Sequence, residues 1–218
     1  MPFLPFGLEL IPYVVIALII AFTLHEFAHA YVAYKFGDST AKDQGRLTLN
    51  PLAHLDPLGT ILIFLVGFGW AKPVPVNRFF FKNPRFAGVL VSIAGPISNL
   101  LIAFVGYFFL ILMANDFITM PLQMALIVDK FLNILVSLNI ILFIFNLLPF
   151  PPLDGYRIIE DLAPRDVRVK LTQFENYGAL IFLIIIFTPL DQYIIYPAFE
   201  YGREATVTLF NWILQPFF

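Results

Sequence analysis

The chain has 218 residues, 60% of them hydrophobic and 13% charged, with a formal net charge of −2 and no cysteine. Soluble domains run near 45–50% apolar and about 25% charged, so a mean hydropathy of +0.84 marks an integral membrane protein surrounded by lipid bilayer. The charge balance offers no basic face for nucleic acid, and the lack of thiols excludes disulfides, cysteine-ligated zinc and thiol catalysis.

The opening MPFLPFGLEL has no positively charged start, so it does not read as a cleaved signal peptide. A membrane crossing needs about 20 apolar residues in helix. Leu10–Phe36 supplies the first, uncharged up to Leu24 before it runs into LHEFAHAYV at Leu24–Val32. Pro57–Ala71 is uncharged but short and glycine-bearing, which suits a re-entrant or interfacial element. Phe86–Ala114 spans easily, Phe131–Leu153 follows with an apolar pattern starting near Leu122, and Tyr177–Phe199 is a fourth span interrupted by Pro189 and Asp191. Ala205–Phe218, with Trp212, fits the membrane interface.

Basic residues set the orientation. Lys35, Lys42 and Arg46 precede the short 57–71 segment, and Lys72, Arg78, Lys82 and Arg85 follow it. Both loops are cytoplasmic under the positive-inside tendency only if that segment does not cross. The Asn115–Pro121 link, without Lys or Arg, is then outside, and Arg157, Arg165, Arg168 and Lys170 return inside. The expectation is an all-α polytopic membrane protein forming one domain over 1–218. It has about four full transmembrane helices, re-entrant or interfacial segments at 57–71 and 205–218, and a small β element near 70–78.

The HEFAH stretch places His25 and His29 four residues apart, one turn along a single helix face, where both can bind one metal ion. Glu26 is offset by about 100° and can reach a water on that metal as general acid/base. Ionisable residues inside a span cost at least about 2.5 kcal/mol each and mark function, and two of the 3 histidines in the chain stand at this one spacing. A third ligand has two candidates. In NLLPFPPLDGYRI, Asn146–Ile158, three prolines break the helix before Asp154, and such a break at membrane depth must line protein or a watery cavity. An ordinary Asp-Gly turn at the membrane surface reads equally well. The competing ligand is His54 of NPLAHLDPLG, in a loop between Pro51 and Pro57.

AGPISN, Ala94–Asn99, carries small residues that let helices approach closely, so packing against the His-bearing helix is its reading. In WAKPVPVN, Trp70–Asn77, valines alternate with prolines. That suits either an exposed edge able to pair with an unfolded substrate segment or an irregular loop.

Taken together, HEFAH, NPLAHLDPLG, GWAKPVPVN, AGPISN and NLLPFPPLDG resemble the site-2 protease family of intramembrane zinc metalloproteases, and most closely its small prokaryotic branch. The resemblance implies one zinc ion per chain held by His25, His29 and Asp154, with Glu26 as catalytic acid/base. It further implies that Asn146 holds the substrate strand or the oxyanion and that His54 is a secondary active-site residue, the plainer reading of His54 being a solvent-facing loop histidine. The implied activity is hydrolysis of a peptide bond in or near a transmembrane helix of a membrane protein substrate, in the prokaryotic cytoplasmic membrane. The active site is expected towards the cytoplasm. Larger relatives carry PDZ or CBS domains. The segment between Gly45 and Arg85 has no room for one and nothing soluble follows Lys170, so substrate selection by such a domain is not expected. Two other classes fit a buried His/Glu cluster: a transporter or proton/metal relay, and an inactive membrane scaffold.

Overall fold

The structure, a computed structural model, describes residues 7–66 and 69–218. Its helices are α1 (Ile11–Lys35), α2 (Thr40–Asp43), α3 (Pro57–Val66), α4 (Pro84–Ala114), α5 (Leu122–Asn146), α6 (Asp154–Leu162), α7 (Arg165–Glu175), α8 (Gly178–Phe187) and α9 (Leu190–Leu214). Three of them, α1, α4 and α5, are long and apolar enough to cross a membrane, so the chain is a multi-pass membrane protein.

These three helices pack on one another over small and branched residues. Val14, Ala17 and Leu18 of α1 bury against Leu132, Ile134 and Leu135 of α5, and Ala103 of α4 meets Val136, Ile140 and Ile144 of α5. Lipid tails are as apolar as these side chains, so close van der Waals approach drives the packing, and small residues permit it. Alanines at 17, 21, 30, 33, 87 and 103 are fully buried accordingly. Sequence also fixes the ends. Gly37, at φ +104, turns the chain after α1, a left-handed conformation that glycine adopts without cost. The Asn83 side chain caps α4 by accepting from Phe86 N, with Pro84 next.

Three expected elements turn out differently. The fourth span expected over Tyr177–Phe199 is divided between α8 and α9 at Thr188, which is extended at φ −119 and ψ 165. A residue before proline is driven out of helical geometry, and Pro189 follows. Ala205–Phe218 does not lie apart as an interfacial piece. Its part up to Leu214 completes α9, which runs back along the bundle, with Gly202 facing Ile144 near the end of α5 and Phe210 against Phe104; a 3-10 turn over Gln215–Phe217 follows. Phe218 then meets Phe108 and Phe117 at the opposite end. The β element near 70–78 reduces, among the described residues, to one antiparallel bridge between Leu55 and Ala71. Pro73 and Pro75 have no N–H to extend a ladder.

That bridge joins the two ends of the 57–71 segment, and Lys72 N donates to His54 O at 2.8 Å beside it. The segment therefore begins and ends at one level, as a re-entrant element does; its residues 67–68 lie outside the described residues, as do 1–6 of the opening stretch. Beyond the bridge, 72–77 continues as a strap without helix or strand.

Candidate metal centre

α1 carries His25 and His29 one turn apart on its buried face. Their Nε2 atoms stand 3.0 Å apart, and each is 3.2 Å from Asp154 Oδ2. Asp154 arrives there because the prolines after Asn146 end α5 and let the chain turn back as α6, with Asp154 its first residue. Gly155 makes the turn possible: a Cβ on it would stand 2.6 Å from Leu148 O and closer still to Leu147 O.

The tautomers follow from the partners. His25 Nδ1 is 2.7 Å from Asn99 Oδ1, and His29 Nδ1 is 2.6 Å from Val91 O. Both partners are acceptors, so both Nδ1 atoms carry the proton and both Nε2 lone pairs point at each other and at the carboxylate. Asn99 is itself oriented: its Nδ2 donates to Asn139 Oδ1 at 2.9 Å, and Asn139 Nδ2 donates to Leu135 O at 2.8 Å. Two lone pairs and an anionic oxygen in a buried triangle repel one another unless a cation joins them. Asp154 Oδ2, buried and without a hydrogen-bond partner, is the orphan such a cation would satisfy. Tetrahedral zinc with ligands at 2.0–2.2 Å sets its donors roughly 3.4 Å apart, close to the distances found here. The donor set fits zinc.

Gly95 of α4 faces the pair so closely that a Cβ there would stand 2.6 Å from His25 Nε2. Glu26 is buried beside the histidines and its Oε2 accepts from Val74 N of the strap at 3.0 Å. The triangle and Glu26 open on a cleft of about 570 Å³, walled by Trp70, Pro73 and Val76 on the strap side and by Leu142, Phe145 and Asn146 of α5 opposite.

The structure thus brings together His25, Glu26, His29, Asp154 and Asn146. Asn146 Nδ2 also donates back to Leu142 O at 2.9 Å. His54 is not among them. It does not face solvent as a loop histidine would, being fully buried, and it does not line the cleft. Its Nε2 stands 2.7 Å from Thr48 O, so that nitrogen is already engaged. Packing alone does not account for AGPISN either: Gly95 and Asn99 face the histidines directly. Asn139 was not singled out by any spacing.

Residues 116–189 match peptidase family M50. A Bacillus subtilis protein with the name "Putative zinc metalloprotease YwhC" is 60% identical over 214 residues, 98% of each chain. The chain belongs to peptidase family M50. As an M50 member it is a zinc metalloendopeptidase of the site-2 protease kind, which sets aside the transporter and scaffold alternatives. Proteins with the name "Putative zinc metalloprotease Rip2" are also similar. The Mycobacterium tuberculosis protein is 33% identical over 175 residues, 78% of this chain and 64% of its own length. The Mycolicibacterium smegmatis protein is 31% identical over 171 residues, 76% of this chain and 63% of its own. No solved structure matches the chain.

The Asn99 bond to His25 carries an expected outcome. Partners beyond the metal ligands typically hold 10- to 100-fold in affinity or activity, so Asn99→Ala should weaken zinc retention by roughly that factor in chelator competition. Unchanged retention would reduce Asn99 to packing.

Proposed function

We propose that this M50 peptidase is an intramembrane zinc endopeptidase, a single domain that hydrolyses a peptide bond in or near a transmembrane segment of a membrane protein. The observation that carries this reading is the depth of the donor triangle. His29 and His25 lie six and ten residues before the end of α1 at Lys35, roughly 9 and 15 Å along a helix rising 1.5 Å per residue. Two of the three donors therefore sit within a helix long and apolar enough to cross a membrane, and Asp154 reaches them from the start of α6.

His25, His29 and Asp154 would hold the zinc, which would supply Lewis-acid polarisation of the scissile carbonyl and activation of water near neutral pH. Glu26 takes the proton of the attacking water and returns it to the leaving amine. Asn146, on the cleft wall, offers its amide to the substrate strand or the oxyanion. The strap opposite offers its backbone to a substrate segment that has unwound. His54 serves the site from outside the cleft, its carbonyl fastening the strap at Lys72.

The basic residues support an active site towards the cytoplasm of a prokaryotic membrane. Lys35, Lys42, Arg46, Lys72, Arg78, Lys82 and Arg85 all follow or precede spans at the end nearer the site, while Asp116 marks the far end. With 0 cysteines in the chain, single-cysteine labelling needs no background removed. Lys82→Cys should react only from inside and Thr119→Cys only from outside; the reverse pattern inverts the topology.

A helical substrate hides its scissile carbonyl in an internal hydrogen bond. In liposomes, a model transmembrane substrate with helix-breaking residues near the cleavage point should therefore be cut faster than its regular parent. Equal rates, or cleavage confined to soluble peptides, would overturn the intramembrane reading.

A further inference from the structure

The strap between Ala71 and Arg78 has almost no ladder to hold it, yet buried polar groups fasten it along its length. Arg46 Nη2 donates to Lys72 O at 2.5 Å. Asp38 Oδ2 accepts from Asn77 N at 2.6 Å. Val74 N reaches Glu26. Those anchors come from α1 and the chain just after it, the side that carries His25, Glu26 and His29.

Arg78 differs. Its Nη1 donates to Asp161 Oδ1 at 2.5 Å, and its Nη2 lies 4.0 Å from Glu160. Asp161 and Glu160 belong to α6, the helix that begins with Asp154. Seven residues, about two turns or roughly 10 Å, separate Asp161 from Asp154. The Asp161 side chain is 0% exposed, pressed against Gly88 of α4, and shared with Arg168 of α7 at 3.0 Å. A buried carboxylate is costly unless paired, so this one fixes whatever is bound to it. Among the described residues, Arg78 is the ionic tie between the strap and α6.

We propose that Arg78 is a positioning residue of the peptidase reaction: it pins the strap to α6, setting where Val74 N–H holds Glu26 relative to Asp154. This rests on Glu26 as acid/base and deepens that reading. Arg168 provides the control, since it pairs with the same oxygen of the same carboxylate but ties down α7 instead of the strap.

The test compares Arg78→Gln, Arg78→Lys and Arg168→Gln in the full-length zinc-loaded protein on a reconstituted substrate. Small misplacements of reacting groups can cost as much as 10²-fold. Arg78→Gln should lower kcat by roughly 10- to 100-fold with zinc content kept, Arg78→Lys should recover part of it, and Arg168→Gln should stay within about two-fold of wild type. Wild-type kcat in Arg78→Gln, or equal losses in the two glutamine variants, would overturn the proposal. Should Arg78→Gln fold poorly, adding Asp161→Asn removes the buried charge that Arg168 alone would then have to balance. The double variant should regain stability while kcat stays low, and a full return of kcat would show that the tie is only structural. Glu26→Gln is measured alongside: activity surviving there defeats the acid/base reading itself, whereas activity lost there and kept in Arg78→Gln defeats only the positioning role.

Discussion

Glu26→Gln should keep its zinc and lose about 10²- to 10⁴-fold in proteolysis, the range that a positioned acid/base contributes. The substitution is close to a pure test of the proton. The donor triangle of His25, His29 and Asp154 does not include Glu26, so the metal site stays whole. Glutamine retains a carbonyl oxygen, so the bond from Val74 N can persist and the strap has no reason to move. What disappears is a basic carboxylate beside the donor triangle. Elemental analysis for zinc and a cleavage assay in liposomes, run on one preparation, decide the matter. Substantial cleavage with zinc in place would mean that another group carries the proton, and the chemistry assigned to HEFAH would fail at its centre.

Much of this site was legible because local periodicity encodes it. His25 and His29 need only the four-residue repeat of a helix to share a face, and the three prolines before Asp154 announce a helix break from the sequence alone. Spacing left the third donor open; the structure places Asp154 beside the two histidines, while His54 turns inward to Thr48 O. Asn99 and Asn139 were not legible in the same way. Each is one polar residue on an apolar helix, and its meaning comes only from the partner that faces it across the bundle. The same holds for Arg78 and Asp161, which lie far apart in sequence. At the other end of the chain, the apolar run through Tyr177–Phe199 suggested a single span because hydropathy averages over Pro189, whereas backbone sterics at Thr188 divide it. The direction in which α9 runs along the bundle depends on contacts such as Gly202 with Ile144, which no window of sequence contains.

Asp154→Ala should cost more zinc than any other single change outside the two histidines. Asp154 Oδ2 is one of three atoms in the triangle, at 3.2 Å from both Nε2 atoms, and alanine leaves a pair of imidazoles with no anionic partner. Losing an outer partner such as Asn99 is worth 10- to 100-fold, so losing a ligand should exceed roughly 100-fold. The three variants then form a graded series: zinc kept in Glu26→Gln, weakened in Asn99→Ala, and absent after mild chelation in Asp154→Ala. The order matters more than any single value, because a general loss of folding would strip zinc from all three alike. If Asp154→Ala held zinc as firmly as wild type, the donor triangle would not be the metal site. His54 could not simply replace Asp154, since its Nε2 is engaged 2.7 Å from Thr48 O and it lies off the cleft wall. The metal would then have to bind through donors beyond this triangle, and the depth argument for cleavage within the membrane would lose its footing with it.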